Sequence, residues 1–218
     1  MSADKKSRRP RPNLGEIAYD EIKTMILTGE LGPGERIVLD DLSSRLNLSV
    51  TPIRDALHKL AQDDLIIITP RTSHSVVQIS AEDAADILDL RLLLETYALQ
   101  TSGSRLATFP VAEFRQNFAE ISSSTDSKVF IATDSKFHNA ILALSPNQRL
   151  PKLYSYLQNL IQVISIQAIQ SAGRINDANQ EHLALLDAIE EENVELAITC
   201  IRAHFEKMKS VAVHSTEY

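Results

Sequence analysis

The 218-residue chain has a single cysteine, no run of 18 apolar residues and no signal-peptide pattern at its start. Because Cys200 is the only cysteine, an intramolecular disulfide framework is excluded, and its apolar neighbours predict a buried helical thiol rather than a nucleophile. The missing apolar run argues against a membrane-spanning helix. The start, MSADKKSRRPRPN, is polar, basic and proline-bearing, unlike a signal peptide. We therefore expect a cytoplasmic protein with no membrane partner.

The net charge of −7 is unevenly distributed along the chain. Residues 1–75 carry 11 Lys and Arg against 11 Asp and Glu, whereas residues 76–218 carry 11 against 18. All of the excess acidity therefore lies in the second part. Residues 1–13 form a basic arm, predicted to be disordered, that either lies along phosphates or serves as a solubilising tail. The length and the 44% of hydrophobic residues suit two packed units.

Two short helices with a tight polar turn are predicted in the first unit. The first runs from about Leu39 to Leu46, and Asn47 tolerates the left-handed backbone that ends it. Ser49 is placed to cap the second helix, with Pro52 in its first turn, where no intrahelical donor is needed. One face of the second helix is apolar and packs on a small core. The opposite face carries hydrogen-bond donors, namely Thr51, Arg54, His58 and Lys59.

Such a donor-rich helix is typical of one presented to the major groove of DNA. The alternative is an ordinary helical hairpin with a solvated charged face. The flanking sequence favours DNA binding, because a helix is predicted before the pair, at Gly15–Thr28, and a β-rich run follows it. The segments Leu65–Ile68 and Ser75–Val77, joined through Pro70–His74, predict a two-stranded hairpin.

The order of three helices and a hairpin, with the segments LGPGERI (Leu31 to Ile37) and LSVTPIRDALHKLAQDDLI (Leu48 to Ile66), resembles the GntR family of bacterial transcription regulators. The resemblance implies a winged helix-turn-helix domain over residues 14–78 that binds double-stranded DNA. It also implies that the second helix of the motif enters the major groove and that the wing tip reaches the minor groove or its phosphates. The implied DNA-binding residues are Ser49, Thr51, Pro52, Arg54, His58, Arg71 and His74.

The chain departs from the family's pattern at several DNA-facing positions. Val50 stands where an arginine usually reads a guanine, a contact typically worth about 1–3 kcal/mol of discrimination. In some relatives an arginine contacts DNA in the region of Asp40. Asp64 replaces a common glycine, and Ser73 takes the place of the wing glycine. The operator is therefore expected to differ from those of typical relatives.

From Ser80 onward the pattern predicts an all-α antiparallel bundle. Ser80 and Asp83 resemble a capping box that starts the first helix. Turn signals divide the rest, with Gly173 expected to end the long fourth helix. The six predicted helices cover about Ser80–Thr101, Val111–Ile121, Lys128–Ala143, Gln148–Ala172, Asp177–Glu191 and Val194–Val213.

Three histidines and an aspartate in the bundle form a candidate metal site. Asp134 and His138 are four residues apart on one helix face, and His182 and His204 lie on the last two helices, which are predicted to be antiparallel neighbours. This donor set suits Zn²⁺, and also Ni²⁺, Mn²⁺ or Fe²⁺. Taken singly, each histidine is more often an ordinary helix residue than a ligand.

The segments DSKFHNAILALSPNQRL (from Asp134), EHLALLDAIEEEN (from Glu181) and AITCIRAHFEKM (from Ala197) resemble the FCD effector domain of the FadR subfamily, in its shorter, six-helix branch. The resemblance implies a ligand-binding and dimerisation domain over residues 80–214. It further implies that Asp134, His138, His182 and His204 bind a divalent metal ion, most often Zn²⁺, at the floor of a cavity.

Arg91 matches a position where the FCD family often places an arginine facing the cavity. Beside a metal ion its guanidinium would favour a small carboxylate effector. The alternative is that Arg91 pairs with Glu95, four residues on, at a surface or dimer contact. Glu181, next to His182, is either a hydrogen-bond partner of a ligand or a solvated acid.

These features together predict a homodimeric, ligand-responsive repressor on a palindromic operator, not an enzyme. Two alternatives keep the Asp/His₃ site but change its use. A metal-dependent hydrolase would need a positioned general base, and no HExxH-type motif supplies one. A metal sensor would treat the ion itself as the signal. An architectural DNA binder would have no use for an acidic bundle with a polar metal site.

Overall fold

The structure is a computed structural model that describes residues 13–69, 73–169, 171 and 173–214. Residues 1–12, which make up nearly all of the predicted basic arm, and Arg71 of the predicted wing tip lie outside the described residues. Within the described residues, no helix combines the length and the apolar character needed to cross a membrane.

The described residues of the first unit form three helices and three short strands. The predicted hairpin of β2 (Ile66–Thr69) and β3 (Ser73–Val76) is present. It belongs to a three-stranded sheet in the order β1-β3-β2, with β1 at Arg36–Ile37, so the two-stranded wing was an incomplete prediction. The added strand has two residues and pairs antiparallel with β3, Ile37 facing His74. The elements are α1 (Leu14–Leu27), β1 (Arg36–Ile37), α2 (Leu39–Leu46), α3 (Val50–Gln62), β2 (Ile66–Thr69) and β3 (Ser73–Val76).

The turn between α2 and α3 follows from local chemistry. Asn47 ends α2 in the left-handed region, with φ 51° and ψ 43°, as predicted. The hydroxyl of Ser43 donates to the carbonyl of Leu48 at 2.6 Å, which fixes the polar turn. Ser49 occupies the N-cap position of α3 with extended backbone, but its side chain makes no cap hydrogen bond, so that part of the prediction was wrong. Asp64, where the GntR family commonly has glycine, adopts a φ of 58°.

The small core of this unit is formed where α1 and α3 pack against each other. Ala18 and Ile22 of α1 and Ile53 and Leu57 of α3 are fully buried. Tyr19 donates a hydrogen bond to Asp63 at the end of α3, and burial together with this bond raises the pKa of Tyr19 above its usual value. This hydrogen bond holds the end of α3 against α1, so the polar face of α3 has a defined orientation.

Over its described residues the second unit is a bundle of seven α-helices with one short 3₁₀-helix at Gly103–Thr108. The hydroxyl of Ser80 accepts the backbone N–H of Asp83 at 3.1 Å, as the predicted capping box requires. Helix α4 (Ala81–Gln100) packs extensively along α10 (Val194–His214), and α10 packs against α9 (Arg174–Glu190). The helices are α4 (Ala81–Gln100), α5 (Val111–Ala119), α6 (Ser127–Ala143), α7 (Leu150–Ser155), α8 (Gln158–Ile169), α9 (Arg174–Glu190) and α10 (Val194–His214).

The predicted fourth bundle helix is two helices in the structure. At the break the N–H of Leu157 bonds to the carbonyl of Tyr154 at 2.9 Å, three residues back, in a tight turn between α7 and α8. Gly173 does not end α8; with a φ of 81° it is the N-cap of α9, which begins one turn earlier than predicted. Cys200 is half-buried rather than buried, and desolvation raises the pKa of its thiol.

The two units share one hydrophobic core. Residues of α1, α3, α4, α8 and α10 belong to the same cluster of buried apolar side chains. Helix α8 packs against α1, and Ile166 lies beside Gly29, where an added Cβ would meet the Ile166 Cγ2 atom at 3.4 Å. The bundle therefore contacts the winged unit directly as well as through the chain connection at residues 77–80.

Candidate functional site

The structure brings the four predicted metal-ligating residues together inside the bundle. Asp134 and His138 come from α6, His182 from α9 and His204 from α10, and one ligand atom of each lies within 4.8 Å of the others. The Asp134 Oδ1 atom is 3.2 Å from Nε2 of His182 and 3.5 Å from Nε2 of His138. The two Nε2 atoms of His138 and His182 are 3.3 Å apart. The four side chains that the sequence predicted as metal ligands therefore meet at one place inside the bundle.

Aromatic side chains enclose this cluster. The ring of Phe118 stacks on His182 with centroids 4.8 Å apart, and Phe137 meets the same imidazole edge-on at 5.2 Å. Phe205 lies 5.6 Å from the ring of His138. All four polar residues are buried. A low-polarity wall strengthens charge interactions inside it and leaves the imidazoles few alternative conformations.

Two carboxylates, one buried and one half-buried, hold the outer nitrogens of two imidazoles. Glu95 of α4 lies 2.6 Å from Nδ1 of His138, and Glu181 of α9 lies 2.6 Å from Nδ1 of His204. Arg174 donates to both carboxylate oxygens of Glu181 at 3.1 Å. A carboxylate that accepts the Nδ1–H fixes the ring and leaves Nε2 with its lone pair available to a metal ion.

The electrostatics of the cluster follow from burial and charge. Burial would raise the pKa of Asp134, but His138, His182 and Arg91 outweigh it and hold that pKa well below its usual range. Desolvation lowers the pKa of His182 and lowers that of His204 to about 3, so both imidazoles are neutral at pH 7. Burial and Arg91 lower the pKa of His138, yet the negative charges of Glu95 and Asp134 raise it overall.

Arg91 lies in the same buried interior. It agrees in part with both alternatives predicted from the sequence, an arginine facing the site and a partner of Glu95. Its Nε donates to Glu95 at 2.9 Å, so the predicted pair exists, but both side chains are fully buried rather than at a surface. Its Nη2 lies 3.7 Å from Asp134, and the guanidinium stands over the ring of Phe205 at 4.8 Å from its centroid. Neither Nη1 nor Nη2 has a hydrogen-bond partner among the described residues.

A cavity adjoins the cluster on the side of α8, but it is small. It has a volume of about 20 Å³ and touches Asp134, His204, Phe130, Ile169 and Met208. A cavity needs a volume of about 10–15 Å³ to hold a single water molecule. Arg91 is not among the residues that line it. The ligand cavity expected above the metal site is therefore closed to anything much larger than water in this conformation.

The predicted DNA-reading residues of α3 lie on its outer face. Thr51, Arg54, His58 and Lys59 are exposed, while Ile53, Ala56, Leu57 and Leu60 are buried on the opposite face. Ser49 is exposed, and Pro52 is half-buried in the first turn. The helix thus presents donors to solvent in the arrangement that the sequence predicted.

A groove of about 680 Å³ is lined by residues of α3 and of the sheet. Arg54 and His58 line its helix side, and Arg36, Ser73 and His74 line its strand side. Desolvation and the neighbouring His58 and Arg54 lower the pKa of His74. The groove therefore concentrates cationic and hydrogen-bonding side chains between the helix and the wing, as a phosphate backbone requires.

Sequence reasoning missed part of the bundle site. Glu95 was paired only with Arg91, although it also holds His138 on another helix. Glu181 was placed beside His182, its neighbour in sequence, but its partner is His204. Arg174 was not singled out. The sequence did hold a signal that Glu95 is buried. Glu95 lies four residues after Arg91, and the acids and large apolar residues that are exposed on this helix lie on its other face.

Comparison with known families agrees with both units. The FCD domain matches residues 86–207, more than half of the chain, and the gntR family of bacterial regulatory proteins matches residues 14–76. The HTH-type transcriptional regulator YdhC of Bacillus subtilis strain 168 is 27% identical over 206 residues, covering 93% of this chain and 92% of that protein. The HTH-type transcriptional repressor GlaR of Escherichia coli K12 is 29% identical over 87 residues, 40% of each chain.

Solved structures share the fold. The structure of McbR/YncC from Escherichia coli superposes with a TM-score of 0.74 at 19% identity, covering 94% of this chain and 99% of that one. A zinc-bound FCD domain of a transcriptional regulator superposes with a TM-score of 0.54 at 16% identity, covering 64% of this chain and 98% of that one. At these identities the likeness is one of fold.

Proposed function

The chain belongs to the gntR family of bacterial regulatory proteins, carries an FCD domain and is a DNA-binding transcription regulator rather than an enzyme; from this premise we propose that it is a homodimeric repressor whose bundle binds a divalent metal ion and a small carboxylate. The observation that carries the proposal is the buried cluster of Asp134, His138, His182 and His204. DNA lies in the bacterial cytoplasm, so the protein would act there.

The donor set fits a metal ion. Nε2 of His204 is buried without a hydrogen-bond partner among the described residues, and its Nδ1 is occupied by Glu181. The Nε2 atoms of His138 and His182 lie 3.3 Å apart, and each lies within 3.5 Å of the Asp134 Oδ1 atom, so these three donor atoms could face one ion. Metal–ligand bonds of about 2.0–2.2 Å would draw the four donors, now within 4.8 Å, slightly inward. Three imidazole nitrogens and a carboxylate suit Zn²⁺ best, with Ni²⁺, Mn²⁺ or Fe²⁺ as alternatives.

When bound, the ion would supply a positive centre for one oxygen of a carboxylate. Arg91 is the residue that would hold the other oxygen, because its Nη1 and Nη2 atoms lack hydrogen-bond partners among the described residues. The closed cavity implies that such a ligand must displace Phe130, Ile169 or Met208. Ile169 belongs to α8, which also packs against α1 of the winged unit. Ligand entry would thus shift α8, and with it the position of the recognition helix.

The winged unit would read DNA through the exposed face of α3. Ser49, Thr51, Pro52, Arg54 and His58 would meet the major groove, while His74, and Arg71 outside the described residues, would approach the adjoining backbone. A two-fold dimer presents two such helices, so a palindromic operator is expected. An effector that favours one arrangement of the units by about 1–3 kcal/mol would change operator occupancy roughly 5–150-fold.

A metal sensor is the second candidate function. The closed cavity of about 20 Å³ favours it, because that space suits a metal-bound water better than a metabolite. The two functions differ in what releases DNA. In a sensor the ion alone changes DNA affinity, whereas in a carboxylate-responsive regulator the ion stays bound and the acid changes it.

The test begins with duplex DNA selected from a random library by the purified protein. Arg54→Ala and Thr51→Ala should weaken binding in a mobility-shift assay at fixed salt, with Arg202→Ala, exposed on α10, as the control. Wild-type affinity in both α3 variants would refute the groove assignment. Elemental analysis should find about one divalent metal per chain, lost in His182→Ala and His204→Ala. A panel of small carboxylates is then screened by thermal shift with and without the metal, and hits are tested for DNA release.

A further inference from the structure

A cleft lies where the winged unit meets the bundle. Its volume of about 340 Å³ falls in the lower part of the ~300–1,000 Å³ range of small-molecule sites. Strand β2 contributes Ile66 and Ile67, and the bundle contributes Ile87 of α4 and Leu160 of α8. None of the four residues of the buried metal cluster lines it. We call this space the interunit cleft, and it is separate from the metal site.

The inner lining of the interunit cleft is apolar. Ile66 and Ile79 are buried, and Ile87 and Leu160 are half-buried. Ile67 is 48% exposed, although it is a large aliphatic side chain. An occupant with a hydrocarbon body would remove this apolar surface from water, which is favourable.

Three carboxylates surround the apolar lining. Asp64 lies between α3 and β2, whereas Asp83 and Asp86 belong to α4, and all three are exposed. The carboxylate of Asp83 accepts a hydrogen bond from the hydroxyl of Ser80 at 2.9 Å. No ion pair or side-chain hydrogen bond joins Asp64 or Asp86 to another described residue. The described residues that line the cleft include no lysine, arginine or histidine, so its charge is negative.

The three aspartates do not form a metal site. Within the part of the chain that the structure describes, only the cluster of Asp134, His138, His182 and His204 has its donor atoms close enough together to hold a metal ion. The aspartates of the cleft are instead spread around an apolar centre. This arrangement suits a larger cation that carries its charge on a hydrocarbon body.

We propose that the interunit cleft binds a small organic cation, a protonated amine or quaternary ammonium group attached to an apolar body. The ammonium group would lie near Asp64 and Asp86, and the hydrocarbon would pack on Ile67, Ile87 and Leu160. The negative potential attracts a cation and repels an anion of the same shape. The inference goes beyond the proposed function, because the site is distinct from the metal cluster and selects the opposite charge to a carboxylate.

An occupant of the interunit cleft would contact both units and the chain that connects them. Asp64 and Ile67 belong to the winged unit, Asp86 belongs to the bundle, and Val77 and Ile79 belong to the connection. A ligand favours the conformation to which it binds best. An organic cation would therefore stabilise one arrangement of the winged unit on the bundle, and it would act on the recognition helix without the metal site.

The first test compares three probes that share one apolar body and differ in charge, namely 4-phenylbutylamine, 4-phenylbutanol and 4-phenylbutyrate. Binding to the full chain is measured by isothermal titration calorimetry at low ionic strength, where exposed charges are least screened. The amine should bind about fivefold more tightly than the alcohol. Equal affinities for the amine and the alcohol, or a preference for the acid in the cleft, would overturn the inference.

The second test removes the charge of the cleft without altering its shape. Asp64→Asn combined with Asp86→Asn should weaken binding of the amine by about tenfold and leave binding of the alcohol unchanged. Asp83 is retained because its backbone N–H bonds to Ser80 at the start of α4. The matched control is Glu113→Gln combined with Glu120→Gln, which removes two exposed carboxylates at α5 and should bind the amine as wild type.

The third test fills the interunit cleft. Leu160→Trp should abolish binding of the amine and of the alcohol together, whereas Leu196→Trp, at a 41% exposed leucine of α10, should change neither. Any acid bound at the metal cluster should still bind to Leu160→Trp. Circular dichroism verifies that each variant is folded. An amine affinity unchanged in Leu160→Trp, or unchanged in the variant without Asp64 and Asp86, would place the amine elsewhere and overturn the inference.

The coupling to DNA is measured separately from binding. The affinity of wild type for its selected duplex should change by about fivefold or more when 4-phenylbutylamine saturates the cleft. The amine should have no such effect on Leu160→Trp. A bound amine that leaves the DNA affinity of wild type unchanged would overturn the coupling, whereas the three binding tests decide whether the site exists.

Discussion

Glu181 and His204 are joined by a 2.6 Å hydrogen bond between Oε2 and Nδ1, across the interface of α9 and α10. Desolvation would raise the pKa of Glu181, but His204 and Arg174 outweigh it and lower that pKa to about 2. The carboxylate is therefore ionised at neutral pH and can only accept, so Nδ1 of His204 carries the proton. Nε2 is then the unprotonated nitrogen, the form that a metal ion requires.

Glu181→Gln should weaken metal binding by about 10–100-fold without unfolding the bundle. A neutral amide accepts a weaker hydrogen bond from Nδ1–H and no longer fixes the imidazole or raises its basicity. The affinity is measured by competition with a fluorescent zinc chelator. Glu191→Gln, at an exposed glutamate at the end of the same helix, is the matched control and should bind as wild type. Equal affinities in the two variants would show that Glu181 does not support the site.

The metal-free protein should lose stability when the pH falls below about 6.5. An imidazole in the unfolded chain takes up a proton near pH 6.5, whereas His204 in the fold stays neutral down to about pH 3. Between these values the unfolded state binds one more proton, so this residue lowers the free energy of unfolding by up to about 1.4 kcal/mol per pH unit.

The contribution of His204 is isolated by comparing wild type with His204→Asn, whose amide nitrogen can replace Nδ1 as the donor to Glu181 without titrating. Urea unfolding of chelator-stripped protein at pH 7, 6, 5 and 4 should give a shallower decline for the variant. His58→Asn measures the effect of replacing an exposed histidine outside the bundle. Parallel declines in wild type and His204→Asn would contradict a neutral, buried His204.

Local sequence was a good guide where local chemistry decides the structure. Asn47 ends α2 through its left-handed backbone, and Ser80 begins α4 through its side chain. The bounds of α2 were predicted correctly. The break before α8 was missed because neither Tyr156 nor Leu157 is a residue type that signals a turn. Strand β1 was missed since two residues form a strand only by pairing with β3, far along the chain.

The residues of the bundle site were also predicted only in part from the sequence. Asp134 and His138 share a helix, so their spacing was informative, and His182 and His204 were found through the resemblance. The two carboxylates that hold the imidazoles were not assigned their partners, because Glu95 and His138 are 43 residues apart. Such pairs depend on how the helices pack, which the sequence pattern of a single helix does not contain.

Arg91→Met should destabilise the metal-free protein by about 3 kcal/mol, since it leaves the carboxylate of Glu95 buried with less compensation. The loss is measured as the free energy of unfolding in urea. Adding Glu95→Gln to Arg91→Met should recover part of it, because the uncompensated charge is removed. Arg202→Met, at an exposed arginine of α10, should change stability by no more than about 0.5 kcal/mol. A loss in Arg91→Met as small as in this control would contradict the buried pair.

Val50→Arg should add a base preference to the DNA-binding surface. Val50 is the first residue of α3 and is half-buried beside the exposed Ser49 and Thr51, at the end of the helix that would enter the groove first. An arginine there can bond to O6 and N7 of a guanine, worth about 1–3 kcal/mol against the other bases. Sites selected from a random duplex library by wild type and variant are compared, and each protein is titrated on both at fixed salt. Val50→Met supplies similar bulk without the donors and should select the wild-type site. If Val50→Arg also selected the wild-type site, the start of α3 would not lie against base edges.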